Sequence, residues 1–542
     1  MNFSKIKELQ EYDFIVIGAG SAGSVVASRL AENNKYNVAI VEAGEKDNNI
    51  WIKIPIGYYK NFKNKKINWN YFTEPDSGLN GRQCYWPQGK VVGGCGSING
   101  LVHVRGKKND YEDWDKKLGN KGWGWEDVLP YFKKSEKIIN EKNNDYGKNG
   151  PLIVNNIINS YELCDSFLSA ADELGYETSS DDYLDYENKG YFKANVNGRL
   201  RWSSANAYLH PVLNQNNVDL FCNSQVVKIE FNNKTANSII FNNENHFYRL
   251  KAKKEIIVSA GAIGSPKLLQ LSGLGSNSLL RKNDVKVVNE LKGVGFNLKD
   301  HLQVRLQYKC NQPITLNDIN QNIFKKIKLV YDYLFHNKGF INYPPSHAYI
   351  YKETCQSNIK SRVQYNFLPF TVESPGKQLD RFSGFTISAF QCRPESQGKV
   401  EIKSNNFLIE PKISPNYLSE KIDQDTIVNA LIFGRKLAST KSLSGYISEE
   451  LSPGPNLDKY DELLEYARNF ATTIYHPSCT CKMGSSDDLH AVVDEKLKVY
   501  GIQNLRVIDS SIMPDIVSSN INASTVMIGE KGADLIKDDY HF

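Results

Sequence analysis

The sequence predicts an α/β protein, α+β over its whole length, in which a parallel nucleotide-binding sheet is joined to a second domain built on an antiparallel sheet. Three observations predict it. Residues 13–44 read as strand, glycine turn, helix, strand and acid. Val363 to Phe370 and Phe385 to Phe390 alternate as strands should. A chain of 542 residues is also long enough for two domains.

The first observation says most about chemistry. Phe14 to Ile17 is an apolar run long enough for one buried strand, and Gly18, Gly20 and Gly23 follow as G-x-G-x-x-G. Ser21 to Ala31 is rich in helix formers, Val38 to Val41 is a second apolar run, and Glu42 ends it. This is the Rossmann-like dinucleotide fingerprint in its required context. Gly18 allows the tight turn, Gly20 lets backbone approach a pyrophosphate, and Gly23 lets the helix pack on the strand. Free N–H groups around Ser21 and Ala22 can bind phosphate oxygens. Glu42 can accept hydrogen bonds from two ribose hydroxyls. Its charge would repel a 2′-phosphate, which disfavours NADP.

Composition excludes several classes. The net charge of +5 is small for this length, and no basic stripe marks a nucleic-acid partner. No apolar run reaches the length of a membrane span. The opening MNFSKIKELQEYD shows no signal peptide. The nine cysteines are odd in number and scattered, which suits a reducing compartment. Cys479 and Cys481 form an isolated C-x-C, too little for a zinc site, so no metal is expected. The expected location is cytoplasmic, with peripheral contact at the inner membrane face left open.

Residues 45–100 are irregular and aromatic-rich, a length of loop that is usually functional in a compact enzyme. They end in WPQGKVVGGCGSINGLVHVRG, Trp86 to Gly106, where four glycines fall between Gly89 and Gly96. Such density lets backbone press against a flat ligand, with Ser97 and Asn99 placed to bond its polar edge. This stretch resembles the first signature of the glucose–methanol–choline (GMC) family of flavin oxidoreductases. The segment 110–136 is similar to a helical stretch of that family, and Asp127 to Ser135 reads as an amphipathic helix with Val128, Leu129 and Phe132 on one face.

The resemblance continues through GRLRWSSANAYLHP (Gly198 to Pro211), SAGAIGSPKLLQLSGLG (Ser259 to Gly275) and GVGFNLKDHL (Gly293 to Leu302). Ser265-Pro266 is expected to start a helix, cap then proline. Helices are also expected near Tyr161–Leu174 and over Asp423–Ser439. Residues 310–450 are the least patterned.

The resemblance implies FAD, held by the fingerprint residues with Ala43, Gly94, Asn99, Gly100, Val102, Val226 and Asp509. Val226 would offer its backbone to the adenine edge. Because cofactor motifs occur at both ends, the FAD-binding domain is expected to be discontinuous, from 1–155, 198–308 and 456–542. The substrate domain would take 156–197 and 309–455.

The C-terminal segments IYHPSCTCKMG and NLRVIDSSIMPDIVSSNINAST carry the chemistry that the resemblance implies. His476 would be the base over the flavin and Asn520 its partner. An alcohol must lose its hydroxyl proton as its carbon releases hydride to flavin N5. An imidazole of near-neutral pKa can take that proton, and Asn520 can hold the alcohol oxygen. His103 reads as structural, and His301 is assigned no chemical role. The absence of G-x-S-x-G around Ser203-Ser204 argues against a hydrolase.

Two departures from the family pattern stand out. Cys479 replaces the glycine usual after His-Pro-x. Ile98 stands where members with covalent flavin have the linking histidine, so FAD is expected to be non-covalent. Three activities are compared: an alcohol dehydrogenase passing electrons to a quinone or other carrier, an oxidase passing them to oxygen, and a non-redox lyase such as a light-driven fatty-acid decarboxylase. Arg393 resembles an arginine of those decarboxylases, but His476 argues against them. The substrate is read as a primary alcohol, with choline one candidate. Tyr343, Tyr349, Tyr351, Tyr365, Phe367 and Glu373 could cage its ammonium.

Overall fold

The computed structural model describes residues 6–156, 161–177, 183, 187–356, 359–374 and 376–541. The first five residues, at the start of the segment read for a signal peptide, lie outside them. Two seven-stranded sheets organise the chain.

The first sheet is mixed. Val218–Phe221, Val38–Val41, Ile6–Ile17 and His246–Val258 run parallel in that spatial order, and Leu505–Val507 joins the end of His246–Val258, also parallel. Thr235–Asn243 and Ser224–Asn232 complete it as an antiparallel hairpin. The central residues Phe14 to Val16 and Val38 to Ile40 are fully buried, as strands covered on both faces must be. The helix Ser21–Ala31 follows the first strand and packs on Asn522–Asp539 from the far end of the chain. Gly18 makes the turn between strand and helix at φ 99°, where a Cβ would lie 2.4 Å from the Ser259 carbonyl oxygen.

The second sheet is antiparallel: Ile447–Ser452, Leu302–Cys310, Gly384–Gln391, Ile359–Leu368, Ala348–Gln356 and Lys189–Tyr191 in order, with Thr472–Thr473 beside Leu302–Gln303. The helix Lys421–Ala438 packs against it through Ile427, Leu431 and Leu437. Leu302–Cys310 lies wholly in this sheet, ahead of the division drawn at residue 308.

Helices form at Trp125–Ser135, Glu162–Glu173 and Lys421–Ala438, near the expected spans. One start differs. The helix expected from Ser265-Pro266 begins at Gly261 and runs to Leu271, with Pro266 inside it. Proline has no N–H for the carbonyl four residues back. Thr480 supplies the missing donor, its Oγ1 bonding the Ala262 oxygen at 2.6 Å.

A helix at Ile323–His336 falls in the stretch read as least patterned. Ile323, Phe324, Ile327, Val330, Tyr331, Leu334 and Phe335 form one exposed apolar stripe along it, Phe324 being 78 % exposed. Among the described residues no helix is long and apolar enough to cross a membrane.

Candidate active site

A cavity of about 1200 Å³ runs between the two sheets. At one end it is walled by Gly18, Gly20, Ser21, Ala22, Glu42, Ala43 and Val226, and further along by Gly94, Asn99, Gly100, Val102 and Asp509. His476 and Asn520 face the same space. Gly23 does not. It lies against the Gly18 carbonyl, where a Cβ would be 1.9 Å from the oxygen, so its part is packing. Ser97 also turns away, its hydroxyl donating to the Val92 carbonyl at 2.7 Å.

The residues of the first end fit a dinucleotide. The helix Ser21–Ala31 starts with no side-chain cap, which leaves its first N–H groups for an anion. Gly20 and Gly94 face each other so closely that a Cβ on Gly94 would come within 2.8 Å of the Gly20 Cα. A flat or phosphate-bearing group can therefore lie directly on backbone here. Glu42 is clamped by the Ala19 and Gly44 amides at 2.9 and 2.8 Å. Burial pushes its carboxyl up to about 7, against the pull of those amides. Its remaining lone pairs are the acceptors left for ribose hydroxyls. Asn99 is fixed by the Leu101 amide and the Arg201 guanidinium, so it shapes the loop. Asp509 is held by Gly261 N–H and Ser265 Oγ at 2.9 and 2.6 Å, tying it to the start of the proline-bearing helix.

At the other end three polar side chains form a chain. His301 Nε2 lies 2.7 Å from the Cys392 carbonyl, which can only accept, so that nitrogen carries the proton. His301 Nδ1 is then an acceptor, and it stands 2.9 Å from His476 Nδ1. His476 must donate there, which leaves its Nε2 as a lone pair 3.0 Å from the Asn520 amide nitrogen. One backbone carbonyl thus sets the tautomer of two rings. The role of His301 was missed in the sequence because its partner lies 175 positions away. In the fold the two stretches are tied at several points: the Asp300 carboxylate accepts the His476 backbone N–H at 2.7 Å, Lys299 and Ser478 exchange backbone hydrogen bonds, and Leu302 pairs with Thr473.

The pKa of His476 departs from the near-neutral value expected. Burial, and secondly the neighbouring His301, hold it well below 6.5. His301 is lowered to about 4, first by burial. Both rings are neutral at physiological pH, the state in which a histidine can accept a proton.

Other expectations are corrected. None of the six cage candidates lines the cavity: Tyr365 and Phe367 are packed in the core of the second sheet, Tyr343, Tyr349 and Tyr351 in a satellite cluster, and Glu373 is exposed. Tyr365 and Phe367 point to the side of their strand opposite Asn366, whereas Tyr349 and Tyr351 share the Asn366 face and are packed against Phe192 and Phe390. Arg393 is not free for a carboxylate, since Asp113 and Asp515 hold it at 2.6 and 3.0 Å. Cys479 takes φ 70°, a left-handed conformation suited to the glycine it replaces.

A dinucleotide cradle that opens onto a neutral, tautomer-fixed histidine defines a cofactor-dependent oxidoreductase. Family models for GMC oxidoreductases match residues 12–303 and 394–529. The chain belongs to the GMC oxidoreductase family and is an FAD-dependent oxidoreductase. It is 38% identical to the mitochondrial choline dehydrogenase of Mus musculus over 542 residues, 97% of this chain and 89% of that protein. It is 34% identical to an alcohol dehydrogenase [acceptor] of Pseudomonas putida, over 97% of this chain and 95% of the relative. Among solved structures, a pyridoxine 4-oxidase from Mesorbium loti shares the fold at a TM-score of 0.86 and 25% identity, covering 98% and 99% of the two chains.

Proposed function

We propose that this protein oxidises a primary alcohol to an aldehyde, with His476 as the base and electrons passed on to a non-NAD acceptor. The observation that carries the reading is the Cys392–His301–His476–Asn520 chain, which leaves one basic nitrogen facing the cavity. FAD, when bound, accepts the hydride released from the carbinol carbon. A substrate hydroxyl entering between His476 and Asn520 donates to His476 Nε2, and the Asn520 amide turns to donate to the alcohol oxygen. His476 takes the hydroxyl proton as the carbonyl forms. His301 keeps the ring oriented as the cation forms, because its Nδ1 remains an acceptor for His476 Nδ1–H. The alcohol has then lost two electrons and two hydrogens, one as hydride and one as the proton on His476.

Gly18, Gly20, Ser21, Ala22, Glu42, Ala43, Gly94, Gly100, Val102, Val226 and Asp509 are assigned to holding FAD, with Gly23 and Asn99 supporting them. FAD is held without a covalent link, since Ile98 offers no nucleophile. Acid precipitation should leave FAD in the supernatant. Flavin retained by the pellet would overturn this.

The acceptor is read as a quinone or another carrier, with oxygen the second reading because an oxidase shares the fold at 25% identity. Peroxide formed in air at the rate of alcohol consumption would favour the oxidase. The stripe on Ile323–His336, flanked by Lys325 and Lys328, has the form of a helix that lies in a membrane interface. Leu329 and Val330 of this helix also line the cavity, so its docking would bring the cavity to a lipid surface. The protein should float with phosphatidylglycerol vesicles, and Phe324→Glu with Phe335→Glu should abolish flotation. Equal flotation of that double variant would remove the helix from the interface.

A further inference from the structure

The charge of the cavity away from the cradle is one-sided. The two carboxylates in the wall, Glu42 and Asp509, are both at the nucleotide end and both hydrogen-bonded to backbone amides. Lys267 is at that end too, on the helix Gly261–Leu271, and donates to the Phe407 carbonyl. The remaining wall contributes Lys60, Lys63, Arg305, Lys326 and Lys377, and no carboxylate.

Arg305 is the deepest of these in the fold. It lies on the central strand Leu302–Cys310, two residues beyond Gln303, which also lines the cavity. Directly across the sheet, Arg305 is paired with Ser388 and Ser388 with Asn366, so the three side chains share one face. All three line the cavity. Other largely buried arginines have partners: Arg105 pairs with Glu136, Arg506 with Glu255, Arg29 with Glu530 and Arg393 with Asp113 and Asp515, while Arg201, with no carboxylate, donates to the Ile52, Gly96 and Asn99 oxygens. Arg305 has neither an ion pair nor a side-chain hydrogen bond among the described residues, and its Nε is buried without a partner. Burial pulls its pKa down, as expected for a cation with no counter-charge. An unmatched buried cation is costly. It is retained most readily where a ligand supplies the missing charge.

We infer that the substrate is an alcohol that also carries an anionic group, bound by Arg305 with Asn366 and Ser388 on the face of the second sheet. This rests on the alcohol-oxidising reading and names its substrate class. A carboxylate suits the planar guanidinium fork best, and a phosphate monoester shares the chemistry. The lysines of the wall raise the local concentration of such an anion. A strand advances ~3.3 Å per residue, so Arg305 is roughly 13 Å along the chain from His301. With the arginine's own reach subtracted, several bonds separate the anion from the carbinol. The anion is unchanged by the reaction. A quaternary ammonium such as choline meets an unscreened like charge at Arg305.

The test uses FAD-loaded protein, mixed without oxygen, with flavin reduction followed for 6-hydroxyhexanoate, the monophosphate of 1,6-hexanediol, 1,6-hexanediol and choline. One of the two anions should exceed the diol in kcat/KM by about ten- to a hundredfold, the span of a charge-assisted bond. Which of them leads decides between carboxylate and phosphate. Arg305→Gln should erase that advantage through KM, with the diol unaffected. Arg305→Lys should keep part of it, and serves if the glutamine variant does not fold. A second arm needs no turnover: hexanoate should perturb the flavin spectrum and tetramethylammonium should not, and Arg305→Gln should weaken hexanoate at least tenfold. Preference for choline or the diol, or hexanoate binding that ignores both Arg305 variants, overturns the inference. If no alcohol reduces the flavin while hexanoate still binds through Arg305, the anion site stands and the oxidation reading falls.

Discussion

The two ends of the cavity are built in opposite ways. The cradle is made of backbone: Gly18, Gly20 and Gly94 clear space, amides clamp Glu42 and Asp509, and helix starts face the ligand. The far end is made of side chains carried by strands and loops that are distant in sequence, His301, Arg305, Asn366, Ser388, His476 and Asn520. A backbone site recognises what every dinucleotide shares. A side-chain site sets which molecule reacts. Substitutions at the two ends should therefore fail differently, at the far end in rate or in substrate affinity and at the cradle in cofactor retention.

The largest effect is expected at the far end. His476→Ala should retain FAD and fold but slow flavin reduction by alcohol ~10²–10⁴-fold, the usual loss with a general base. Stopped-flow mixing without oxygen measures this directly. Near-normal bleaching would take His476 out of the reaction and leave the comparison without its chemical half.

This contrast also explains what could be read from the chain. The part of the cradle that carries the fingerprint is contiguous: strand, three glycines, helix, strand and Glu42 occupy residues 14–42, so their spacing alone carries that geometry, while Gly94, Val226 and Asp509 join it from elsewhere in the chain. Ser21–Ala31 and Val38–Val41 form where the pattern places them. His476 and Asn520 were legible only through resemblance to a family. Arg305 was not legible at all, because alternation along Leu302–Cys310 says which residues share a face but not that the face opens on a cavity. The apolar stripe of Ile323–His336 did carry a helical period, with Ile323, Ile327, Val330 and Leu334 at suitable steps. It was hidden by lying in a stretch with no motif. The cage candidates failed for the reason Arg305 was missed: aromatic alternation in a strand marks a core face as readily as a binding one.

At the cradle, Glu42→Ala should weaken FAD by about 1.5–3 kcal/mol through the loss of charge-assisted ribose bonds. Protein that still carries FAD should be reduced at close to the native rate. Flavin titration of apoprotein measures the first, and single-turnover reduction the second. Unchanged affinity would show that Glu42 does not meet the ribose. A slowed reduction in fully loaded protein would show that the two ends are not separable.

A similar loss, in stability only, is expected where the two ends are tied together. Thr480→Val removes the hydroxyl that serves the Ala262 carbonyl orphaned by Pro266. A buried acceptor left alone costs about 1–3 kcal/mol. Denaturant unfolding of the FAD-loaded protein should show the loss, with KM for alcohol unchanged. No change in the midpoint would mean that the carbonyl finds another donor.

The smallest expected effect is none, and it tests the protonation of the far end. A histidine titrating at its ordinary value would become an imidazolium as pH falls through 6.5, and reduction would slow there. The His476 pKa is depressed, first by burial and then by His301, so the ring stays neutral and able to accept a proton across that value. His301, lowered to about 4, also stays neutral and keeps its Nδ1 open to His476. The rate of flavin reduction should then be flat from pH 8 to about 6.5 and beyond, and fall only in more acid solution. One neighbour titrates inside this window. Burial raises Asp300 to about 6, and its carboxylate accepts the His476 backbone N–H. Protonating Asp300 weakens its hold on the loop without touching the ring, so any inflection near 6 should vanish in Asp300→Asn. An inflection near 6.5 that survives in Asp300→Asn would mean that His476 titrates as an exposed histidine does, and that the far end is wetter than its burial implies.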